Sequence, residues 1–246
     1  MPNWVFNTLT IQGNKSEVDS IKTRLNQPFT KIENNWDTEK WELVEGEYTY
    51  SNPVFCFHNI YNHIEDGVDV ETYMSQRDHS QDLQEALKYK GNNWYEWNIR
   101  NWGTKWDVPV NDNDNYSDTQ LVEHKSEGED QWLIYRFDTA WSPPVPAIEK
   151  LSKLVPNCVV TLEYEEEQGW GGEIEFVRGE ITADYDYESK CHDCDTTNTM
   201  EYCENDCGQI CSSCNNLGEA DLDNVAECQD HKIYLDTNVP EYRKVK

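Results

Sequence analysis

Seven cysteines and two histidines fall in the last quarter of this chain, and all but His192 form a spaced set: Cys191, Cys194, Cys203, Cys207, Cys211, Cys214, Cys228 and His231. They come as four pairs, three of Cys–Cys and a last one of Cys228 with His231. A C-x-x-C turn presents two sulfurs to one ion, and tetrahedral zinc takes four thiolate or imidazole ligands, so eight ligands fit two closed sites. Residues 191–232 are too few to bury a sufficient core of their own. They are expected to fold around metal, with zinc supplying much of the folding free energy.

How the pairs share the ions stays open. Sixteen residues separate Cys194 from Cys211, which falls in the zinc-ribbon spacing. Interleaved pairing gives one site of Cys191, Cys194, Cys211 and Cys214 and another of Cys203, Cys207, Cys228 and His231, an arrangement similar to the cross-brace of RING-type domains. Consecutive pairing gives Cys191, Cys194, Cys203 and Cys207, then Cys211, Cys214, Cys228 and His231. The ribbon spacing favours the interleaved form. Thiolate-rich closed sites are structural rather than catalytic, so two structural zinc ions are expected and no catalytic residue is assigned. Nine cysteines is an odd number, which suits a pure disulfide framework poorly. Cys56 and Cys158 stand among apolar neighbours and read as packing residues.

The chain carries 48 acidic against 20 basic side chains, a formal net charge of -28. Such a field repels phosphate backbones and anionic membranes and favours a protein partner with a basic surface. A merely very soluble surface is the plainer alternative. Aromatic residues make up 12% of the sequence, too many for a disordered chain. Neither a targeting segment nor a transmembrane stretch is visible, so a cytoplasmic location with reduced thiols is expected.

Hydrophobic patterning predicts α+β architecture. Trp4–Ile11 reads as a strand, and Asn14 with Glu17 makes a capping box for a helix carrying Val18, Ile21 and Leu25. A second such unit has a strand over Trp132–Phe137, Ser142 and Pro143 as cap and first turn, and a helical stripe of Val145, Ile148, Leu151 and Leu154 ended by Pro156. Strands over Cys158–Tyr164 and Glu173–Val177 follow, joined through glycines. Two βα units with hairpin strands predict a ferredoxin-like sandwich over residues 1–182, with a long insertion at about 34–130. In the insertion, strands are expected around Trp41–Tyr50 and Val54–Ile60 and a helix near Gln81–Lys88. Residues 183–190 read as an acidic linker, 191–232 as a small RING-like or zinc-ribbon-like module, and 233–246 as a tail with a strand at Ile233–Leu235.

Three stretches, Met1–Gly13, Asn93–Asp107 and Phe137–Pro144, together resemble the YubB ferredoxin-like family of bacterial plasmids and phage genomes. The resemblance covers residues 1–182 and stops before the cysteines. It implies a ferredoxin-like fold, a mobile-element origin and a bacterial host cytoplasm, but no established activity. One departure is local: the family pattern has a Pro-containing turn after Phe57, where this chain runs His58–His63.

Trp94–Trp106 predicts a helix ending at Gly103, read as aromatic core with asparagines tying down backbone, a ligand pocket being the alternative. His58, His63, His79 and His124 stand in polar stretches beside no nucleophile and at no metal spacing, and read as exposed. Asp112, Asp114, Asp118 and Glu123 match four positions of a calcium loop, but Tyr116 and Ser117 break it, and a solvated acidic loop is the better reading. The leading expectation is a phage or plasmid accessory protein that binds a host or phage protein, with an acidic face imitating DNA. Nucleic-acid binding through the sheet and zinc module is the second reading, and an enzyme or ubiquitin-ligase-like module the weakest.

Overall fold

The computed structural model describes residues 3–30, 32–35, 40–43, 49–74, 91–110, 119–128, 130–191, 194–198, 200–202, 208–211, 213 and 217–220. The predicted helix at Gln81–Lys88, the loop at 111–118, His79 and the strand at Ile233–Leu235 lie outside them. The chain divides into two units, residues 1–167 with 173–185, and residues 168–172 with 186–246.

The first unit is built on β1 (Trp4–Asn14), α1 (Lys15–Leu25), β6 (Gln120–Glu127), β7 (Asp130–Ala140), α4 (Val145–Leu154) and β8 (Val159–Glu166). Their sheet order is β8-β1-β7-β6, with β1 antiparallel to both β7 and β8. This is the ferredoxin-like arrangement of two βα units around a central antiparallel pair. β9 (Gly171–Val177) and β10 (Glu180–Tyr187) extend the β8 edge. Alternation decides which face is covered: Leu9, Ile11, Leu133, Tyr135, Phe137, Val160 and Leu162 are buried beneath Val18, Ile21 and Leu25 of α1 and Ile148 and Leu151 of α4.

Local signals start and stop these helices. Asn14 Oδ1 accepts from Glu17 N at 3.1 Å, as expected of an N-cap. Glu17 does not close the predicted box. Its carboxylate instead accepts from Asn157 N at 3.1 Å and Asn157 Nδ2 at 2.8 Å, tying the start of α1 to the turn before β8. Ser142 is not the cap of α4; Pro144 holds that position, and Ser142 Oγ donates to the Gly103 carbonyl.

The insertion differs from expectation at three places. β6 pairs with β7 from Gln120 to Glu127, so it is a frame strand and not part of an insertion reaching 130. Val54–Ile60 is no strand: Ile60 N and Tyr61 N both donate to the Phe57 carbonyl, at 2.9 and 3.0 Å, in a tight turn. In the Trp41–Tyr50 region the backbone forms two short strands, β4 (Lys40–Leu43), paired with β3 (Ile32–Asn35), and β5 (Thr49–Tyr50), paired with β2 (Phe29–Thr30). Among the described residues the insertion also carries the helices α2 (Val70–Met74) and α3 (Trp94–Trp102). Residues 183–187, expected as linker, belong to β10.

The second unit carries a three-stranded sheet of β11 (Met200–Tyr202), β12 (Gly208–Cys211) and β13 (Leu217–Ala220). Among the described residues, no helix is long and apolar enough to cross a membrane.

Candidate functional site

The cysteine cluster is assembled by a ladder of backbone contacts after β10. Glu188 N donates to Asn198 Oδ1 at 3.0 Å, Asn198 N to the Ser189 carbonyl at 2.7 Å, and Lys190 bridges Thr197. Inside that ladder Cys191 N donates to the Thr196 carbonyl at 2.9 Å, and Asp195 N to the Cys191 carbonyl at 2.8 Å. The turn needs left-handed backbone at Asp195 (φ 55°) and Asn198 (φ 56°). Asp and Asn tolerate this conformation better than other residues with a side chain. The result folds Cys194 back onto Cys191, and Cys211, the last residue of β12, supplies a third sulfur.

The three sulfurs lie within 4.8 Å of one another. Cys194 Sγ and Cys211 Sγ are 3.7 Å apart. A tetrahedron with Zn–S bonds of about 2.3 Å has an edge of about 3.8 Å, so the Cys194–Cys211 pair already stands at ligand spacing. Cys191 and Cys211 are buried, and Thr196 Oγ1 lies 2.9 Å from Cys194 Sγ. Three soft donors in a protected corner can bind a metal ion. Grouping Cys211 with Cys191 and Cys194 is a feature of the interleaved pairing and not of the consecutive one. Cys203, Cys207, Cys214, Cys228 and His231 lie outside the described residues. Cys56 and Cys158 are buried in the first unit; burial pushes both thiols up, that of Cys158 to about 12 with help from the Glu17 carboxylate.

The three motifs of the first unit meet in space. Trp4 pairs with Ala140, Trp141 N donates to the Asn3 carbonyl at 2.9 Å, and Asn7 Nδ2 reaches Thr139 Oγ1 at 3.0 Å. Thr104 Oγ1 donates to the Ala140 carbonyl at 3.0 Å, and the Trp106 and Trp141 rings lie 6.5 Å apart with Lys105 Nζ over both. The tryptophan helix divides between the two readings. Trp97 and Trp102 are core, with their indole N–H groups donating to Asp66 Oδ2 and the Tyr61 carbonyl, each at 2.8 Å. Asn98 and Asn101 hold backbone carbonyls as expected, those of Lys105 and Trp97. Trp94, Trp102 and Trp106, however, also line a cavity.

Two histidines expected at the surface are not there. His63 is 3% exposed and stacked on Tyr73 with centroids 3.9 Å apart, and His58 is half-buried against Phe29 at 4.3 Å. Burial lowers both imidazoles, and His63 adds to the shift of His58, which falls to about 4. Asp107 organises this region without any cue in the sequence. Its carboxylate accepts from Phe57 N at 2.7 Å and His58 N at 3.0 Å, fixing the turn that replaces the expected proline. Glu123, the last position of the rejected calcium loop, lies in β6 and pairs with Lys125 at 3.2 Å.

A family model described as the ferredoxin-like domain in Api92-like protein matches residues 105–204. The matched domain is ferredoxin-like. The match spans β6 to β11 and runs through Cys191, Cys194 and Cys203, whereas the YubB resemblance ends at residue 182. Neither the YubB name nor a mobile-element origin comes with it. Among solved structures, the crystal structure of a protein api92 from Yersinia pseudotuberculosis is similar at 13% identity and a TM-score of 0.39, covering 78% of this chain and 100% of that one. No curated protein matches the chain.

Proposed function

We propose that this chain is a phage or plasmid accessory protein that binds another protein, with a zinc-stapled second unit as a rigid contact surface. The observation that carries the metal reading is the approach of Cys191, Cys194 and Cys211, three sulfurs from one turn and a distant strand end within 4.8 Å. In the proposed interleaved arrangement Cys214 completes that site, and Cys203, Cys207, Cys228 and His231 hold a second zinc. Thiolate-rich closed sites leave no open position for substrate, which supports a structural and binding role over catalysis.

The net charge of -28 supports a partner with a basic surface in the bacterial cytoplasm. The sheet supports this over nucleic acid. Phe6, an exposed ring on the central strand β1, stands in register with Asp138 on one side and Glu165 on the other. Those carboxylates repel a phosphate backbone.

Native mass spectrometry of the full chain tests the metal, with two zinc ions expected and one lost on Cys211→Ser. A zinc-free protein at full occupancy of folded states would sink the reading. Affinity purification from host cells tests the partner: a specific protein released by salt is expected, and recovery of nucleic acid alone would reverse the assignment.

A further inference from the structure

The first unit contains a cavity of about 590 Å³, within the range of small-molecule sites. Its described lining residues all belong to that unit. The wall is aromatic, with the rings of Phe29, Tyr73, Trp94, Trp102 and Trp106. Such a wall favours a flat ring as occupant, because stacked and edge-to-face contacts add to the burial of apolar area.

The polar groups of the wall narrow the choice. Asn98 is committed at both ends: Oδ1 accepts from the Tyr73 hydroxyl and Nδ2 donates to the Lys105 carbonyl, each at 2.9 Å. The Asp107 carboxylate accepts from three backbone N–H groups, those of Phe57, Val108 and His58, at 2.7, 2.8 and 3.0 Å. His63 differs. It is 3% exposed, its carbonyl accepts from Val68 N at 2.9 Å, and its ring is stacked on Tyr73, yet its Nε2 has no hydrogen-bond partner among the described residues. A buried polar atom left in this way is costly, and an occupant that bonds it recovers that cost. A neutral imidazole donates or accepts at Nε2 according to its tautomer, so the fitting ligand edge carries a donor beside an acceptor. Among the described residues no lysine or arginine lines the wall, and burial lowers both His58 and His63, so an anionic ligand finds no counter-charge there.

We propose that this cavity binds an uncharged fused-ring heteroaromatic compound, packed against the aromatic wall, whose lactam-like edge hydrogen-bonds to His63 Nε2. The site does not depend on zinc.

The test uses the full chain and three probes of similar shape, 2-quinolone, naphthalene and quinoline-2-carboxylate, followed by ligand-observed NMR. The quinolone is expected to bind about tenfold more tightly than naphthalene, the worth of one buried hydrogen bond, with the carboxylate not bound. In the unaltered chain the ring-nitrogen resonances of His63 should shift more with the quinolone than with naphthalene. His63→Phe keeps a flat ring and removes the nitrogens; it should bring the quinolone down to the affinity of naphthalene while naphthalene still binds. Trp94→Ala should weaken both by about fivefold. Absence of quinolone binding, equal affinity for quinolone and naphthalene, binding of the carboxylate as tight as the quinolone, or His63 nitrogens indifferent to the quinolone would overturn the proposal. Where His63→Phe does not fold, the His63 nitrogen shift in the unaltered chain decides. Zinc chelation should leave the affinity unaltered.

Discussion

His58 couples the stability of the first unit to pH. Its ring is half-buried against Phe29, and burial, with His63 adding, lowers it from 6.5 to about 4. In the unfolded chain the imidazole takes its proton near pH 6.5. Between about pH 4 and 6.5 the unfolded state binds more protons, so the contribution of His58 is present above 6.5 and lost as pH falls towards 4. The full loss is about 3 kcal/mol by linkage, and His63, lowered by burial, acts in the same direction. Urea unfolding midpoints should therefore fall between pH 6.5 and 4.5, and fall less in His58→Gln. Parallel losses in the two proteins would show that the imidazole is not responsible. The polar residues Asn59, Asn62 and His63 that follow His58 mask its burial in the sequence, although Phe57 and Ile60 flank it. The signal is tertiary: Asp107 lies fifty residues away and captures the backbone of this turn. Cysteine spacing, by contrast, was readable, because C-x-x-C is a local geometry that the turn at Asp195 realises directly.

At the scale of elements, the end of α3 is the most constrained junction. Gly103 has φ 82°, and its N–H donates to the Ile99 carbonyl at 3.0 Å as a left-handed C-cap. A Cβ there would stand 2.5 Å from Pro146 Cδ and 3.3 Å from the Pro143 carbonyl oxygen. Gly103→Ala should cost on the order of 2 kcal/mol or more, through strain and the displacement of α4. Gly128, at φ 64° with nothing within 4 Å of an added Cβ, is the control, and Gly128→Ala should cost only about 1 kcal/mol. Equal losses in thermal denaturation would mean that α3 and α4 do not meet as described. Asn14→Ala should remove the cap of α1 for about 1 kcal/mol, read in the same assay. Boundaries set by such local chemistry, at Asn14, Gly103 and Pro156, were legible in the sequence. Val54–Ile60 was not, because its apolar run is buried in a turn whose N–H groups go to a carboxylate rather than to a neighbouring strand. β10 was missed for the opposite reason: Glu180–Asp186 bury no face, so no alternation announces a strand.

The proposed zinc sites give the second unit a source of stability that the first does not use. The first buries a continuous cluster from Leu9 to Phe176 beneath its helices, which is hydrophobic stabilisation of the ordinary kind. In the second unit Cys191 and Cys211 are buried, both members of the sulfur cluster. In the proposed zinc-stapled arrangement, metal ligation contributes folding free energy to this unit. Chelation should thus act on one unit alone. Hydrogen exchange of the full chain, read by mass spectrometry with and without chelator, should lose protection across residues 188–198 and 208–211. The frame strands β1, β7 and β8 should keep theirs, and the main thermal transition should move by no more than about 2 °C. Protection of Cys191 and Cys211 that survives chelation would show that the sulfurs pack without metal. Restoring zinc should restore protection in the wild type but not in Cys211→Ser, because the proposed tetrahedral site, once it loses one thiolate, loses the closure that holds the turn and the strand end together.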